Sequence, residues 1–368
     1  MTDTQWEAEA RDFSPDGKRF TYVVNADGRT TMYLQELGAD HAEKLPFPEG
    51  TTKTESIPTA FSPDGRRILV VHQGSQRPSD VWICDSGTRQ VRQLTYSALA
   101  SLNPDSMPPS QLIHYKTFDG EVISAYLWMP FNLKRDGSNP AIVMPHGGPT
   151  GQTVDRFNAT AAALASRGYI CIAPNVRGST GYGMAFQKAN YKDLGGGDLQ
   201  DEIYATKFLL ATDYVDPKKI GITGGSYGGF MTLMAIGKAP EIWAAAVDAY
   251  GIIDWYTILK HTDPRLQEYL KSLLGDPEKD RPAYENASPI KFIRNARAPL
   301  LVLQGENDIR VPKEESEQVA AILKQQGKIV NVHFYPAEGH GFQKRENQID
   351  SLRRTVEWFD KYLKHSSQ

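Results

Sequence analysis

The chain is poor in several things. Only two cysteines occur in 368 residues, Cys84 and Cys171. So few, and so far apart, they argue against a disulfide scaffold or a cysteine metal site; each sits in an apolar run and reads as a small buried hydrophobe. No run of about 18 apolar residues exists, so no membrane-crossing helix is expected. The start, Met1 to Trp6, lacks a basic segment followed by an apolar core. No signal peptide is therefore expected, and a cytoplasmic location follows by default. Excess charge is missing too: 41 Lys and Arg against 44 Asp and Glu give a net charge of -3, which leaves no basic footprint for nucleic acid. Hydrophobic residues at 40% and charged residues at 23% are those of a globular protein able to bury a large core.

What is present begins with a repeat. Phe13-Ser14-Pro15-Asp16-Gly17-Lys18 recurs as Phe61-Ser62-Pro63-Asp64-Gly65-Arg66, each followed by an alternating apolar stretch, Phe20 to Val24 and Ile68 to Val71. Pro-Asp-Gly is turn chemistry: proline sets the first turn residue, aspartate bonds the local backbone, and glycine accepts a positive φ. Further strand-like runs follow each copy, Thr31 to Leu34 and Val81 to Cys84. Several short strands per repeat suggest β-propeller blades. Only two units are present, whereas a closed ring needs about four to eight. Open blade edges are expected to favour homo-oligomers. A Ser-, Asn- and Pro-rich stretch, Ser97 to Ser110, reads as a linker. The expected organisation is a partial propeller over 1–110 and a second domain over 111–368.

From Gln111 onward, strands alternate with helices. Gln111 to Tyr115 and Val122 to Met129 form a hairpin around Asp119-Gly120. Strands follow at Ala141 to Met144, Tyr169 to Ala173, Ile220 onward, Ala244 to Ala249, Leu300 to Gln304 and Ile329 to Tyr335. Helices lie between them, one capped by Asp198 and another ended by Gly168. This pattern predicts an α/β class, a mostly parallel sheet covered on both faces, with ligands at the carboxyl ends of its strands.

The chemistry collects at those ends. Gly224-Gly225-Ser226-Tyr227-Gly228 is a Gly-x-Ser-x-Gly pattern between a strand and a helix, a nucleophile elbow. A serine needs a base to remove its proton and an orienting group for the base. In α/β-hydrolases these follow in the order Ser, Asp or Glu, His. Asp308 is the acidic candidate, just past the strand at Leu300 to Gln304, with Glu306 a rival on the same loop. His340, between Gly339 and Gly341, is the base candidate. His333 also follows Asp308 but lies inside an alternating strand and reads as structural; His261 precedes Asp308 and sits in a polar segment.

An acyl-transfer oxyanion needs two aimed donors. The amide of Tyr227 is one. The other comes from His146-Gly147-Gly148-Pro149, with Gly148 favoured and Gly147 the alternative; His146 reads as a brace. The loop from Asn175 to Gly183 lacks Walker spacing; Arg177 is expected to pin it beside the site and is counted among the residues of the substrate pocket. After the strand at Ala244 to Ala249, Ile252, Ile253 and Trp255 either line the substrate pocket or pack in the core. No metal and no cofactor is called for.

Gly-Gly-Ser-Tyr-Gly-Gly at 224–229, His-Gly-Gly-Pro at 146–149, Asn-x-Arg-Gly-Ser-x-Gly-Tyr-Gly at 175–183, Gly-x-Asn-Asp at 305–308 and Gly-His-Gly at 339–341 together cover nearly all of 111–368. In these motifs the chain resembles the prolyl oligopeptidase family of serine peptidases, above all its acylaminoacyl-peptidase-like branch. The resemblance implies an α/β-hydrolase behind an N-terminal propeller, Ser226, Asp308 and His340 as triad, and the Tyr227 and Gly148 amides as oxyanion hole. The departure is the propeller, of which most blades are missing; no match is found for the acidic pair by which dipeptidyl-peptidase relatives hold a free amino terminus. The expected function is cleavage of peptide or acyl-amide bonds of small peptides through an acyl-enzyme on Ser226. A carboxylesterase for small esters is the nearest alternative, and a non-catalytic assembly protein the alternative of another class.

Overall fold

A computed structural model of the chain describes residues 4–53, 60–97, 99 and 102–364; part of the stretch read as a linker, and Met1 itself, lie outside them. The chain divides into two compact units. The first comprises Met1–Gln111 with Thr153–Ala162 and Gly181–Gly183, and the second comprises the remainder.

The first unit contains two four-stranded antiparallel sheets, each in simple sequential order. One is built from β1 (Glu7–Phe13), β2 (Arg19–Ala26), β3 (Arg29–Glu36) and β4 (Glu43–Lys44). The other is built from β5 (Thr51–Lys53), β6 (Arg67–Gly74), β7 (Arg77–Asp85) and β8 (Val91–Gln93). The repeated turn has the same hydrogen bonds in both copies. Ser14 donates to Asp16 at 2.6 Å and the Lys18 amide to the same carboxylate at 3.1 Å. Ser62 and the Arg66 amide do so to Asp64 at 2.6 and 3.0 Å. The glycine that follows each aspartate has φ near +69° or +68°, a region only glycine enters freely. The two sheets meet face to face: Val23, Met32 and Leu34 of one pack with Phe61, Ile68, Val70 and Cys84 of the other. Cys84 and Cys171 are both free and buried.

The sheet edges differ from the expectation of bare templates for pairing. β4, β5 and β8 are two to three residues long, and β1 carries Glu7, Glu9, Arg11 and Asp12; short and charged edges resist pairing. An aromatic ladder crosses one sheet face. Phe13, Phe20, Tyr22 and Tyr33 form a ring ladder with centroids 5.1–5.9 Å apart, and Phe13 is 56% exposed.

The second unit is organised by an eight-stranded sheet of β9 (Ser110–Lys116), β10 (Val122–Trp128), β11 (Asn139–Val143), β12 (Ile170–Asn175), β13 (Val215–Gly225), β14 (Ala245–Ala249), β15 (Leu300–Gly305) and β16 (Val330–Tyr335). Its order is β9-β10-β12-β11-β13-β14-β15-β16. β10 runs antiparallel to β12, and every pairing from β12 to β16 is parallel. Parallel strands buried on both faces read as near-continuous apolar runs, and β15, Leu-Leu-Val-Leu-Gln-Gly, is buried throughout.

The helices between strands are α1 (Ala159–Ser166), α2 (Met184–Gln187), α3 (Gly197–Leu210), α4 (Tyr227–Lys238), α5 (Trp255–His261), α6 (Pro264–Leu274), α7 (Arg281–Ala287), α8 (Lys313–Gln325) and α9 (Arg345–Phe359). α4 is buried from Tyr227 to Gly237, as suits the central helix of an α/β sheet. Among the described residues no helix is long and apolar enough to cross a membrane. One capping expectation fails: Gly196 occupies the N-cap of α3, and Asp198 sits inside the first turn with its side chain turned to other work.

Candidate active site

β13 ends at Gly225 and α4 begins at Tyr227, so Ser226 alone makes the corner. Its backbone has φ +59° and ψ -119°, a conformation costly for a residue with a Cβ. Neighbours hold it there: the Ser226 amide donates to Ala249 O at 3.0 Å and Phe230 N–H to Ser226 O at 2.9 Å. The glycines are required by contact. A Cβ on Gly224 would meet Gly228 C at 2.5 Å and Pro145 O at 2.7 Å; one on Gly228 would meet Pro145 O at 2.2 Å.

Two further strand ends bring the partners. Past β16, His340 places Nε2 2.9 Å from Ser226 Oγ and Nδ1 2.8 Å from Asp308 Oδ2. Past β15, Asp308 turns its other oxygen to the Arg310 and Val311 amides, both at 2.9 Å. Its side chain is fully buried, while that of His340 keeps 15% exposure. Tyr250 lies against the imidazole with centroids 4.9 Å apart and edge-on to Phe342. The rival Glu306 is exposed, and it is Asp308 that meets the histidine. His333 instead faces Asp350 and Tyr335.

The loop after β11 approaches the elbow at Gly147, whose added Cβ would stand 3.8 Å from Ser226 Cβ. His146 is used as a brace, Nε2 2.8 Å from Ser179 Oγ and Nδ1 2.8 Å from Gly147 O; desolvation pushes its pKa below the ordinary value. Tyr227 opens α4, so its N–H has no acceptor within the helix.

Arg177 anchors its loop. It bonds Asp201 through Nε and Nη2, both at 2.9 Å, reaches Asp119 at 3.0 and 3.2 Å, and lies over the Phe118 ring at 4.6 Å. Of the two readings for Ile252, Ile253 and Trp255, packing in the core is the one the structure shows. Ile253 and Trp255 are fully buried and Ile252 nearly so. The cause is Glu315 on α8, which accepts the Ile253 and Asp254 amides at 2.9 and 3.0 Å. That pulls the segment inward, where Trp255 Nε1 donates to Ala287 O at 3.0 Å. Burial pushes the Glu315 carboxyl up to about 7.

Some contributors carry no sequence signal. Tyr227 OH donates to Asp198, which also accepts from Asn190 at 3.3 Å; burial pushes that carboxyl up to about 7. Asp248, on β14 behind the elbow, is buried with no partner at hydrogen-bond geometry among the described residues. Burial raises it to about 7 as well. Only the three-dimensional packing puts these groups near Ser226.

Comparison with known proteins bears on this arrangement. An uncharacterised peptidase of Bacillus subtilis, YuxL, is 30% identical over 361 residues, 97% of this chain and 54% of its own. The acylamino-acid-releasing enzyme of Rattus norvegicus is 28% identical, over 97% of this chain and 50% of its own. Among solved structures, the acylaminoacyl peptidase of Pyrococcus horikoshii superposes with a TM-score of 0.84 at 25% identity, covering all of this chain and 57% of that one. The chain thus spans about half the length of the curated relatives it matches. Residues 155–366, which contain the elbow and the loops that carry Asp308 and His340, match the profile of the prolyl oligopeptidase family, and to that family the chain belongs.

Proposed function

We propose that the chain is a serine hydrolase of peptide bonds, with Ser226 as nucleophile, His340 as general base and Asp308 as its orienter. The observation that carries this reading is the unbroken line from Ser226 Oγ through both imidazole nitrogens to the buried Asp308 carboxylate. With Nδ1–H donating to Asp308, Nε2 is the free base that faces the hydroxyl. As Oγ attacks the substrate carbonyl, its proton passes to Nε2. The C–N bond then breaks, Nε2–H protonates the leaving amine, and the acyl group stays on Oγ until water repeats the sequence. The Tyr227 amide and the Gly148 amide, or that of Gly147, stabilise the oxyanion between these steps. No cofactor or metal takes part.

The substrates are small peptides or acyl-amides, with small esters open to the same groups. Residues 1–110 serve as a partial propeller domain and 111–368 as the hydrolase. Copies associate through the blade unit, at its open edges together with the exposed Phe13 on β1. The test is labelling with a fluorophosphonate, with a panel of peptidyl amides, acyl amides and p-nitrophenyl esters alongside. Labelling at Ser226 that vanishes in Ser226→Ala is the expected result. Labelling elsewhere, or activity surviving that change, would overturn the reading.

A further inference from the structure

His340 stands between two glycines, in a loop joining β16 to α9, and neither glycine has a side chain to restrain the imidazole. Gly341 has φ +83° and the loop crosses itself in a single bridge between Gly339 and Gly341. A base that must take a proton and return it to a different atom loses rate when misplaced; an error of about 1 Å can cost ~10²-fold. Something outside the loop's own conformational preference has to hold it.

Glu338, two residues before His340, is 2% exposed despite its charge. Its carboxylate spans the loop. Oε2 accepts the Gln343 amide at 2.8 Å, and Oε1 accepts the Lys344 amide at 2.9 Å and Asn347 Nδ2 at 2.7 Å. Lys344 is the N-cap of α9 and offers no side-chain cap, so Glu338 satisfies donors at that helix start and adds favourable charge there. Its backbone reaches the other way. Glu338 O accepts Asn307 N–H at 2.8 Å, one residue from Asp308. Gly305 at the end of β15 packs so closely that its Cβ position lies 2.4 Å from Gly339 O and 2.6 Å from Glu338 O. One residue thus fastens the histidine loop to α9 on one side and to the aspartate loop on the other. Burial pushes its carboxyl up, but the donors outweigh this and hold it below the ordinary value, so it is ionised at neutral pH.

We infer that Glu338 is a positioning residue for His340: its carboxylate closes the 338–344 loop and keeps the imidazole on the line between Ser226 and Asp308. This rests on the serine-hydrolase reading above. A residue that merely caps α9 would change stability and leave turnover per folded molecule alone; a positioning residue changes kcat.

The experiment uses the full chain and compares wild type with Glu338→Gln, which keeps the shape but replaces one acceptor oxygen by a donor. Thermal unfolding, kcat and KM on the best substrate of the panel, and the second-order rate of fluorophosphonate labelling are measured on each. The expected result is a fall of about 10- to 100-fold in both kcat and labelling rate, with KM within twofold and the protein folded at assay temperature. Asn347→Ala removes one donor only and should cost about 3-fold in kcat, which keeps the test alive if Glu338→Gln fails to fold. Wild-type kcat in the folded variants, whatever their melting temperature, would overturn the inference; so would a KM rise that matches the kcat loss. If wild type itself is not labelled at Ser226, the hydrolase reading has failed. If wild type is labelled and the variants match it, only the role of Glu338 has.

Discussion

The two units use the same elementary devices to different depths. In the repeated turn of the blade unit, Gly17 is required by local backbone: it has φ +69° and nothing within 4 Å of its Cβ position. Behind the elbow of the hydrolase unit, Gly229 is required by neighbours: a Cβ there would meet Asp248 Oδ1 at 2.4 Å and Gly251 Cα at 2.7 Å. Buried ionisable groups differ likewise. The blade unit buries His72 against Thr52 Oγ1 at 2.9 Å, and desolvation lowers its pKa to about 4. The hydrolase unit buries Asp198, Asp248 and Glu315, each raised to about 7 by desolvation. The groups compared thus differ in sign: a buried base in the blade unit, buried carboxyls in the hydrolase unit. Stability and chemistry should therefore separate between the units.

The sharpest separation is catalytic. Ser226→Ala should lower kcat by about 10⁶-fold while thermal unfolding stays within a degree or two of wild type. A large drop in melting temperature would mean that the hydroxyl supports the fold. Asp308→Asn should cost about 10⁴-fold, again in kcat; a greater loss in Glu306→Gln would transfer the role of orienter.

Stability should show the contrast next. Gly229→Ala forces backbone and a buried carboxylate apart, at a cost of about 3 kcal/mol or more. Gly17→Ala strains one residue only and should cost about 1 kcal/mol. Equal effects in urea unfolding would erase the distinction between contact and conformation.

The pH dependence should run in opposite directions. His72 has a folded pKa below its unfolded value of 6.5, so its contribution is complete above pH 6.5. It is lost as pH falls towards 4, by roughly 3 kcal/mol in all. Asp198 and Asp248 have folded pKa values raised from 3.8, so the cost of keeping them buried grows as pH rises from about 4 to 7. Asp248→Asn should therefore gain stability over wild type at pH 8 and little at pH 4. His72→Gln should flatten the acid side instead. Matching slopes in both variants would refute the assignment. The smallest effect concerns association: Phe13→Lys should shift any concentration-dependent light scattering towards monomer, and no change would remove Phe13 from the contact.

The sequence was legible where a function depends on local geometry. The elbow glycines, the order Ser226, Asp308, His340 and the two Pro-Asp-Gly turns are short patterns whose physical reasons lie within a few residues. Family and fold followed from them. What could not be read was direction. Trp255 is amphipathic enough for pocket or core, and Glu315, sixty residues away, decides for core. Asp198 looks like an N-cap until Tyr227 claims its side chain, and Arg177 meets Asp119 only through tertiary folding. In the blades, edge strands could be recognised but the shortness of β4, β5 and β8 could not.

The proposed triad is separated by 114 residues between Ser226 and His340 and by 32 between Asp308 and His340, and its members meet only when β13, β14, β15 and β16 lie side by side. Such pairing is non-local and forms slowly. On refolding from denaturant, regained turnover should therefore trail the return of helical signal. Catalysis here is a reporter of the last strands to dock, and a chain that has collapsed with β16 unpaired would be compact, helical and inert.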